Sequence, residues 1–304
     1  MPDKTYDWLG DVPLQWNTFL DTSPQQSDPE TAHVYVIPVP YDSTTSYKSG
    51  ARDGPNAIIE ASRQLEDLDL ELMRDISTVG IHTTPALDLD VSGPEAMISR
   101  VRTAVHSAVY RGKLVAMLGG EHTITVGAVQ AMADLHSDLS VLYLDAHADM
   151  RDSYMGSRWG HASVARRVCE VAPLVQVGVR SASVEEISFI EKEDIPVFFW
   201  SGATSDKECQ ANQVTERLSS NVYISIDLDV FDPSEIAAVG TPEPGGMRWD
   251  EVIGLLRAVS QRHNIVGFDL VELSPSLGPI AGAYAAAKLA YKLMGYATAK
   301  GIAE

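Results

Sequence analysis

Two cysteines, Cys169 and Cys209, are all that the 304 residues contain. That excludes a disulfide framework, and no Cys spacing suits a thiolate metal site. A reducing cytoplasm is the compartment such usage fits. Basic residues are also scarce: Lys plus Arg total 23 against 42 Asp plus Glu, a net charge of −19. A nucleic-acid partner is excluded on that balance, because the phosphate backbone demands the opposite sign. A cationic small molecule is compatible with it, since the field of the whole protein would attract one. No apolar run reaches the roughly 18 residues that a membrane-crossing helix needs. Met1 to Gly10 is polar and acidic, unlike a secretory signal. Low-complexity tracts and internal repeats are absent.

What is present is ample apolar material, 45% of the chain, arranged in short runs. Residues 1–31 carry Pro, Ser, Asp and Gln with little periodicity and read as an N-terminal extension, which Trp8, Trp16 and Phe19 could pin to the core or to a neighbouring subunit. From residue 32 to residue 304 the chain reads as a single domain. Apolar runs recur at Val34 to Val39, Val115 to Leu118, Val141 to Leu144, Val175 to Val179, Val197 to Trp200, Val222 to Ile226 and Ile265 to Leu270. Near-continuous apolar stretches rich in β-branched residues are the mark of strands buried on both faces of a parallel sheet. Helical spacing occupies Ala96 to Tyr110, Thr123 to His136, Glu185 to Glu193, Ala211 to Leu218 and Trp249 to Arg262, and Gly282 to Ala290 suits a closely packed C-terminal helix. Strands alternating with helices predict an α/β fold. Such sheets put their sites at the carboxyl ends of strands.

Three of those ends carry chemistry. Val115 to Leu118 leads into Gly119-Gly120-Glu121-His122. Val141 to Leu144 leads into Asp145-Ala146-His147-Ala148-Asp149, and Val222 to Ile226 into Asp227-Leu228-Asp229. In an extended segment, residues two apart project to the same side, so each end would offer its carboxylates and imidazole to one place. Four carboxylates gathered at half-buried positions repel one another and lose hydration, which makes sense only if cations hold them. Four aspartates balance two divalent ions. Carboxylates and imidazoles without thiolate favour Mn²⁺ over a structural Zn²⁺, and a pair of such ions activates water near neutral pH. Of the remaining histidines, only His161 enters this reading.

Together these motifs resemble the ureohydrolase family of arginases, agmatinases, formiminoglutamases and guanidinobutyrases, and prokaryotic agmatinases most. The resemblance extends over Val39-Pro40-Tyr41-Asp42, Gly50 to Pro55, the three strand ends, Gly240 to Gly246 and Asp269-Leu270-Val271-Glu272. It implies a three-layer α/β/α sandwich around a mainly parallel sheet of about eight strands, assembled as a homo-trimer or homo-hexamer. It implies that His122, Asp145, Asp149 and Asp227 hold one Mn²⁺, and that Asp145, His147, Asp227 and Asp229 hold the other. Glu272 matches the guanidinium-binding glutamate, and His161 the proton-shuttling histidine. The implied reaction is hydrolysis of a guanidino group with release of urea. A metal-bound, catalytically silent regulatory or assembly subunit is the competing reading, as is a one-metal zinc amidohydrolase. The complete ligand set with His161 and Glu272 speaks against silence, and the aspartate count against a single metal.

The rest of the substrate rests on the loop Arg151 to Trp159, which resembles agmatinases more than arginases. Agmatine, cleaved to putrescine and urea, is the expected substrate. Asp152, or another loop acid, could attract its cationic tail. N-substituted agmatine, guanidinobutyrate, arginine and formiminoglutamate (releasing formamide) stay open, with Arg151 and Arg158 available for a substrate carboxylate. Where the family usually has Pro-Gly, this chain has Ala237-Ala238, which predicts a freer loop at the pocket rim.

Overall fold

The computed structural model describes residues 15–23, 25–200 and 207–299, with backbone alone at 207–209. Trp8 lies outside the described residues, as does the side chain of Cys209. The strands are β1 (Val34–Val39), β2 (Leu68–Asp69), β3 (Arg74–Asp75), β4 (Ile81–Thr83), β5 (Leu114–Gly119), β6 (Leu139–Leu144), β7 (Leu174–Val177), β8 (Val197–Phe198), β9 (Asn221–Asp227) and β10 (Asn264–Val271). The helices are α1 (Gly54–Ser62), α2 (Pro94–Tyr110), α3 (Thr125–Leu135), α4 (Val164–Cys169), α5 (Val184–Glu193), α6 (Lys207–Thr215), α7 (Trp249–Arg262) and α8 (Ala281–Thr298). Eight strands form one sheet in the order β4-β1-β5-β10-β9-β6-β7-β8. Every ladder in it is parallel. β2 and β3 form a separate antiparallel pair.

The near-continuous apolar runs follow from a sheet covered on both faces. Val34 and Val36, Ala116 and Leu118, Leu142 and Leu144 face one core, which also takes residues of α1, α7 and α8. Their neighbours Tyr35 and Ile37, Val115 and Met117, Val141 and Tyr143 face the other, filled by α2, α3, α4 and α5. Alternation along each strand therefore sends side chains to two dry layers, and neither face needs polar residues. The result is the three-layer sandwich. Of the extension, Phe19 is fully buried and joins the first core. Among the described residues no helix is long and apolar enough to cross a membrane.

The strand order brings the chemistry together. β5, β10, β9 and β6 are consecutive in space, and Leu144 lies in register with Ile226, Ile226 with Leu270 and Leu270 with Leu118. Each motif thus leaves the sheet at one level, on one edge.

Candidate metal centre

His122, Asp145 and Asp227 offer ligand atoms that all lie within 4.8 Å of one another, and so do Asp145, His147 and Asp229. Asp145 belongs to both groups. Asp149 completes the first side, with its Oδ2 3.7 Å from His122 Nδ1. The two-residue spacing works differently from simple strand alternation. Asp145 Oδ1 accepts the His147 N–H at 2.6 Å, and Asp227 Oδ1 accepts the Asp229 N–H at 2.8 Å. Each strand ends in an Asx turn, the aspartate binding the amide two residues on, and residues 228–230 form a 3₁₀ turn rather than a strand. One oxygen of each aspartate shapes the backbone, and the other is left for the cluster.

The histidines are fixed from behind. Asp269, fully buried, accepts hydrogen bonds from Ser225 Oγ at 2.7 Å, Tyr223 Oη at 2.7 Å and Thr125 Oγ1 at 3.0 Å. Ser225 has one proton and gives it to Asp269. Its oxygen therefore accepts from His122 Nε2, 2.9 Å away. This assigns the Nε2–H tautomer and leaves the lone pair of Nδ1 toward the cluster. Tyr143 stacks on the ring at 4.5 Å and donates to Asp149 Oδ2 at 3.0 Å. On the other side, His147 Nδ1 is 2.9 Å from Asp229 Oδ2, and its Nε2 is 4.0 Å from Glu243 Oε1.

These atoms call for cations. His122 Nδ1 lies 3.2 Å from Asp145 Oδ2 and 3.2 Å from Asp227 Oδ2, lone pair against lone pair. Asp145 Oδ2 is buried and has no hydrogen-bond partner. Left to themselves the groups hold protons. Burial, and then neighbouring carboxylates, push Asp149 and Asp227 well above the usual carboxylate range. Asp145 is held low, against its burial, by His122 and His147. Both histidines are pushed up by the aspartates, again against burial. A donor set of imidazoles and carboxylates without thiolate fits Mn²⁺ and its hard or borderline relatives.

The cluster floors a cavity of about 330 Å³, whose walls include His161, Glu272, Arg151, Tyr154, Glu186 and the segment 45–48. Glu272 leaves β10 with φ +66°, and its Oε1 accepts the His122 N–H at 2.7 Å. Asp149 is also left-handed, at φ +51°. Backbone in this region is costly for a residue with a Cβ and gathers at functional sites. Here it turns both carboxyl groups back over the strand ends. His161 Nε2 lies 3.1 Å from Ser46 Oγ, its Nδ1 3.3 Å from Thr44 Oγ1, and burial lowers its pKa.

Asp152 is not brought into this group. It does not line the cavity, and its carboxylate is taken by Arg167 at 2.7 Å and Arg158 at 3.5 Å. Arg151 does line the cavity, over the Tyr154 ring and 4.0 Å from Glu186. Ala237-Ala238 is tied down: the Ala238 carbonyl accepts the Ser274 N–H at 2.7 Å, and Ala238 is buried. Hydrogen bonding thus replaces the restraint a proline would supply.

Sequence reasoning gave no role to Arg180, Ser225 or Thr44. Arg180 donates to five backbone carbonyls, those of Gly178, Asp229, Val230, Phe231 and Glu243. It thereby clamps the Asp227-Asp229 turn to the Gly240–Gly246 turn. Gly178-Val179-Arg180 at the end of an apolar run was the available signal, since a charged residue there must be satisfied locally.

Residues 32–295 match the family model described as the arginase family. An N(1)-aminopropylagmatine ureohydrolase of Synechocystis sp. is 41% identical over 273 residues, covering 87% of this chain and 89% of that enzyme. An agmatinase of Pyrococcus horikoshii is 36% identical over 270 residues, covering 88% and 93%. The crystal structure of the agmatine ureohydrolase of Thermoplasma volcanium superposes with a TM-score of 0.86 at 31% identity, covering 98% of this chain and all of that one.

Proposed function

The chain belongs to the arginase family, and from that premise we propose that it is a two-Mn²⁺ hydrolase that releases urea from an agmatine-type guanidine. The observation that carries this reading is the pair of overlapping His/Asp groups sharing Asp145, with Glu272 and His161 on the walls of the same cavity. In the proposal His122, Asp145, Asp149 and Asp227 hold one ion, and Asp145, His147, Asp227 and Asp229 the other. A bound pair of such ions supplies a water acidic enough to attack near neutral pH.

The protein's own groups do the rest. A guanidinium is planar and cationic, and a carboxylate can take two of its N–H groups side by side. Glu272 is aimed by the His122 amide, so the guanidinium it grips stands at a fixed distance from the ligands. That replaces a chance encounter with a positioned one. The carbon becomes tetrahedral, and the C–N bond to the leaving amine then breaks. His161 gives that amine its proton, because an imidazole titrates near the working pH.

For the rest of the substrate, an amine tail suits the −19 net charge, which draws cations toward the cavity. Among the described residues, the acid on the cavity wall besides the proposed ligands and Glu272 is Glu186. Asp152, neutralised by Arg167 and Arg158, belongs to the wall's own structure. The 41% relative acts, by its name, on N(1)-aminopropylagmatine, and the 36% relative on agmatine. We place this chain with the two, agmatine carrying an N(1)-aminopropyl group being favoured by the higher identity. A cytoplasmic homo-oligomer is part of the same proposal.

Urea release by Mn²⁺-loaded protein tests this, comparing N(1)-aminopropylagmatine, agmatine, arginine and guanidinobutyrate, with formiminoglutamate scored as formamide. The agmatine-type pair should give the highest kcat/KM. No turnover of any guanidine by fully metallated protein refutes the enzyme, and arginine as best substrate refutes the choice of tail.

A further inference from the structure

Among the described residues, the histidine assigned to protonate the leaving amine has no carboxylate partner of its own. Its ring nitrogens meet hydroxyls there, Thr44 Oγ1 at 3.3 Å and Ser46 Oγ at 3.1 Å. Behind Thr44 stands Glu121, completely buried, between Gly120 and His122. Glu121 Oε2 accepts the Thr44 N–H at 2.7 Å, and Oε1 accepts the Thr44 hydroxyl at 2.8 Å. The amide can only donate and the hydroxyl is directed at the second oxygen, so toward Thr44 the Glu121 carboxylate is an acceptor twice over.

The loop reaches Glu121 because Gly120 lets it. A Cβ there would stand 1.8 Å from the Tyr41 carbonyl oxygen, and the Glu121 N–H donates to that same oxygen at 2.7 Å. The chain from Tyr41 to Thr44 is thereby laid against the end of β5, with Thr44 under His161.

We propose that Thr44, oriented by Glu121, is a positioning residue that sets the ring orientation and tautomer of His161. The proposal rests on the reading of His161 as proton donor. A threonine hydroxyl has a single proton, and here it goes to Glu121. What Thr44 presents to His161 is then only lone pairs. It accepts the His161 backbone N–H at 3.0 Å, and it can receive a hydrogen bond from Nδ1 but cannot give one. Nδ1 therefore carries the resting proton. Nε2, opposite Ser46, is the basic nitrogen that takes up a proton and hands it on. Glu121, Thr44 and His161 form an acid–hydroxyl–imidazole line in which the carboxylate acts through one hydroxyl, where a catalytic triad uses direct contact. In a triad the wrong tautomer alone lowers kcat by about 10⁴ with the geometry intact.

Steady-state kinetics and nitrogen NMR of histidine, on full-length metallated protein, test this. Thr44→Val removes the acceptor. It should lower kcat on the order of 10- to 100-fold, up to the low end of what a proton-transfer group itself contributes, with KM and metal content near the parent's. Thr44→Ser keeps the hydroxyl and should restore kcat. In a His161→Asn background Thr44→Val should cost nothing further, since residues acting as one unit are not additive. Glu121→Gln covers the case in which Thr44→Val does not fold. Its amide donates to Thr44 Oγ1, turns the hydroxyl proton toward Nδ1 and should lower kcat alone. An equal loss from Thr44→Val with or without His161, or a Thr44→Ser variant as slow as the valine, overturns the proposal. With Zn²⁺ as a diamagnetic substitute, the His161 ring, identified by its loss in His161→Asn, should show a proton on Nδ1 in the parent and on Nε2 in Glu121→Gln. A parent proton on Nε2 overturns the proposal whatever the turnover. A parent inactive on every guanidine but protonated on Nδ1 overturns the functional reading instead.

Discussion

Replacing Ser225 by alanine should weaken metal binding without touching a ligand. Ser225 is the link in the line from His122 Nε2 (2.9 Å) to Asp269 Oδ1 (2.7 Å). Without it the buried Nε2–H has no acceptor in that direction, and nothing fixes which nitrogen of His122 faces Asp145 and Asp227. Loss of a group that orients a ligating histidine costs about 10- to 100-fold in metal affinity. At about 1.4 kcal/mol per decade this is about 1.4–2.8 kcal/mol. Competition between the apo-protein and a calibrated chelator for Mn²⁺ reads it directly, with bound metal counted per chain. Thr125→Val is the control. It removes a different donor from Asp269, at 3.0 Å, but leaves the His122–Ser225–Asp269 line whole, so its Mn²⁺ affinity should stay near the parent's. Equal affinity in parent and Ser225→Ala, or an equal loss in both variants, would refute the tautomer assigned to His122.

Asp149→Asn should retain one metal per chain where the parent holds two, and lose most of its activity; elemental analysis showing two would contradict the ligand assignment. Gly120→Ala should lose more than about 3 kcal/mol, beyond ordinary overpacking, because the added methyl would meet the Tyr41 carbonyl at 1.8 Å; a normal melting temperature would show that the loop moves aside freely. Lys292→Met should cost about 3–5 kcal/mol, as breaking a buried ion pair does, since Lys292 is 7% exposed and lies 3.0 Å from Asp69, 1% exposed. Burial pushes Asp69 up, but the Leu72 amide and Lys292 outweigh it and hold the carboxyl below its usual range. A depressed folded pKa gives stability that is full above the unfolded value of about 3.9 and is lost as pH falls through the folded value. The melting difference between parent and Lys292→Met should therefore be largest near neutrality and shrink as pH falls toward and through about 4, where the carboxyl left unpaired in the variant takes up a proton; a constant difference down to strong acid would sink the ion-pair account.

The sheet was legible because burial on two faces disfavours polar residues, so β1, β5, β6, β9 and β10 appear in the sequence as mostly apolar runs, the buried Ser225 and Asp269 being allowed by the hydrogen bond between them. β4 was not legible: Ile81–Thr83 has three residues, holds only β1 and is indistinguishable in composition from a loop. α6 begins at Lys207, ahead of the apolar spacing that starts at Ala211, because polar first turns carry no periodic signal. The clustering of His122, Asp145, His147, Asp227 and Asp229 was legible because several carboxylates at the ends of neighbouring buried strands repel one another unless a counter-charge is brought to them. Their supports were not. Ser225 and Glu121 stand inside recognisable motifs, but a hydroxyl or a carboxylate there reads equally well as filler, and only three-dimensional donor counting separates the roles. Asp152 shows the reverse case. Its place in the loop Arg151 to Trp159 suggested an acid for a cationic tail, yet the buried Arg167 guanidinium required a partner and took it. Positive φ at Asp149 and Glu272 left no mark at all, since neither is glycine.

The four strands that carry the centre are neighbours in space but are synthesised in the order β5, β6, β9, β10, with about half of the chain lying between the first and the last. Closing such distant pairings is the slow part of folding. While it is being made, a chain that has completed β6 presents His122 and the Asp145–Asp149 turn without Asp227 or Asp229, and so half of an ion trap. If the two groups hold metal as proposed, neither ion has its full ligand set until β9 has taken its place between β6 and β10 and brought Asp227 and Asp229 to the centre.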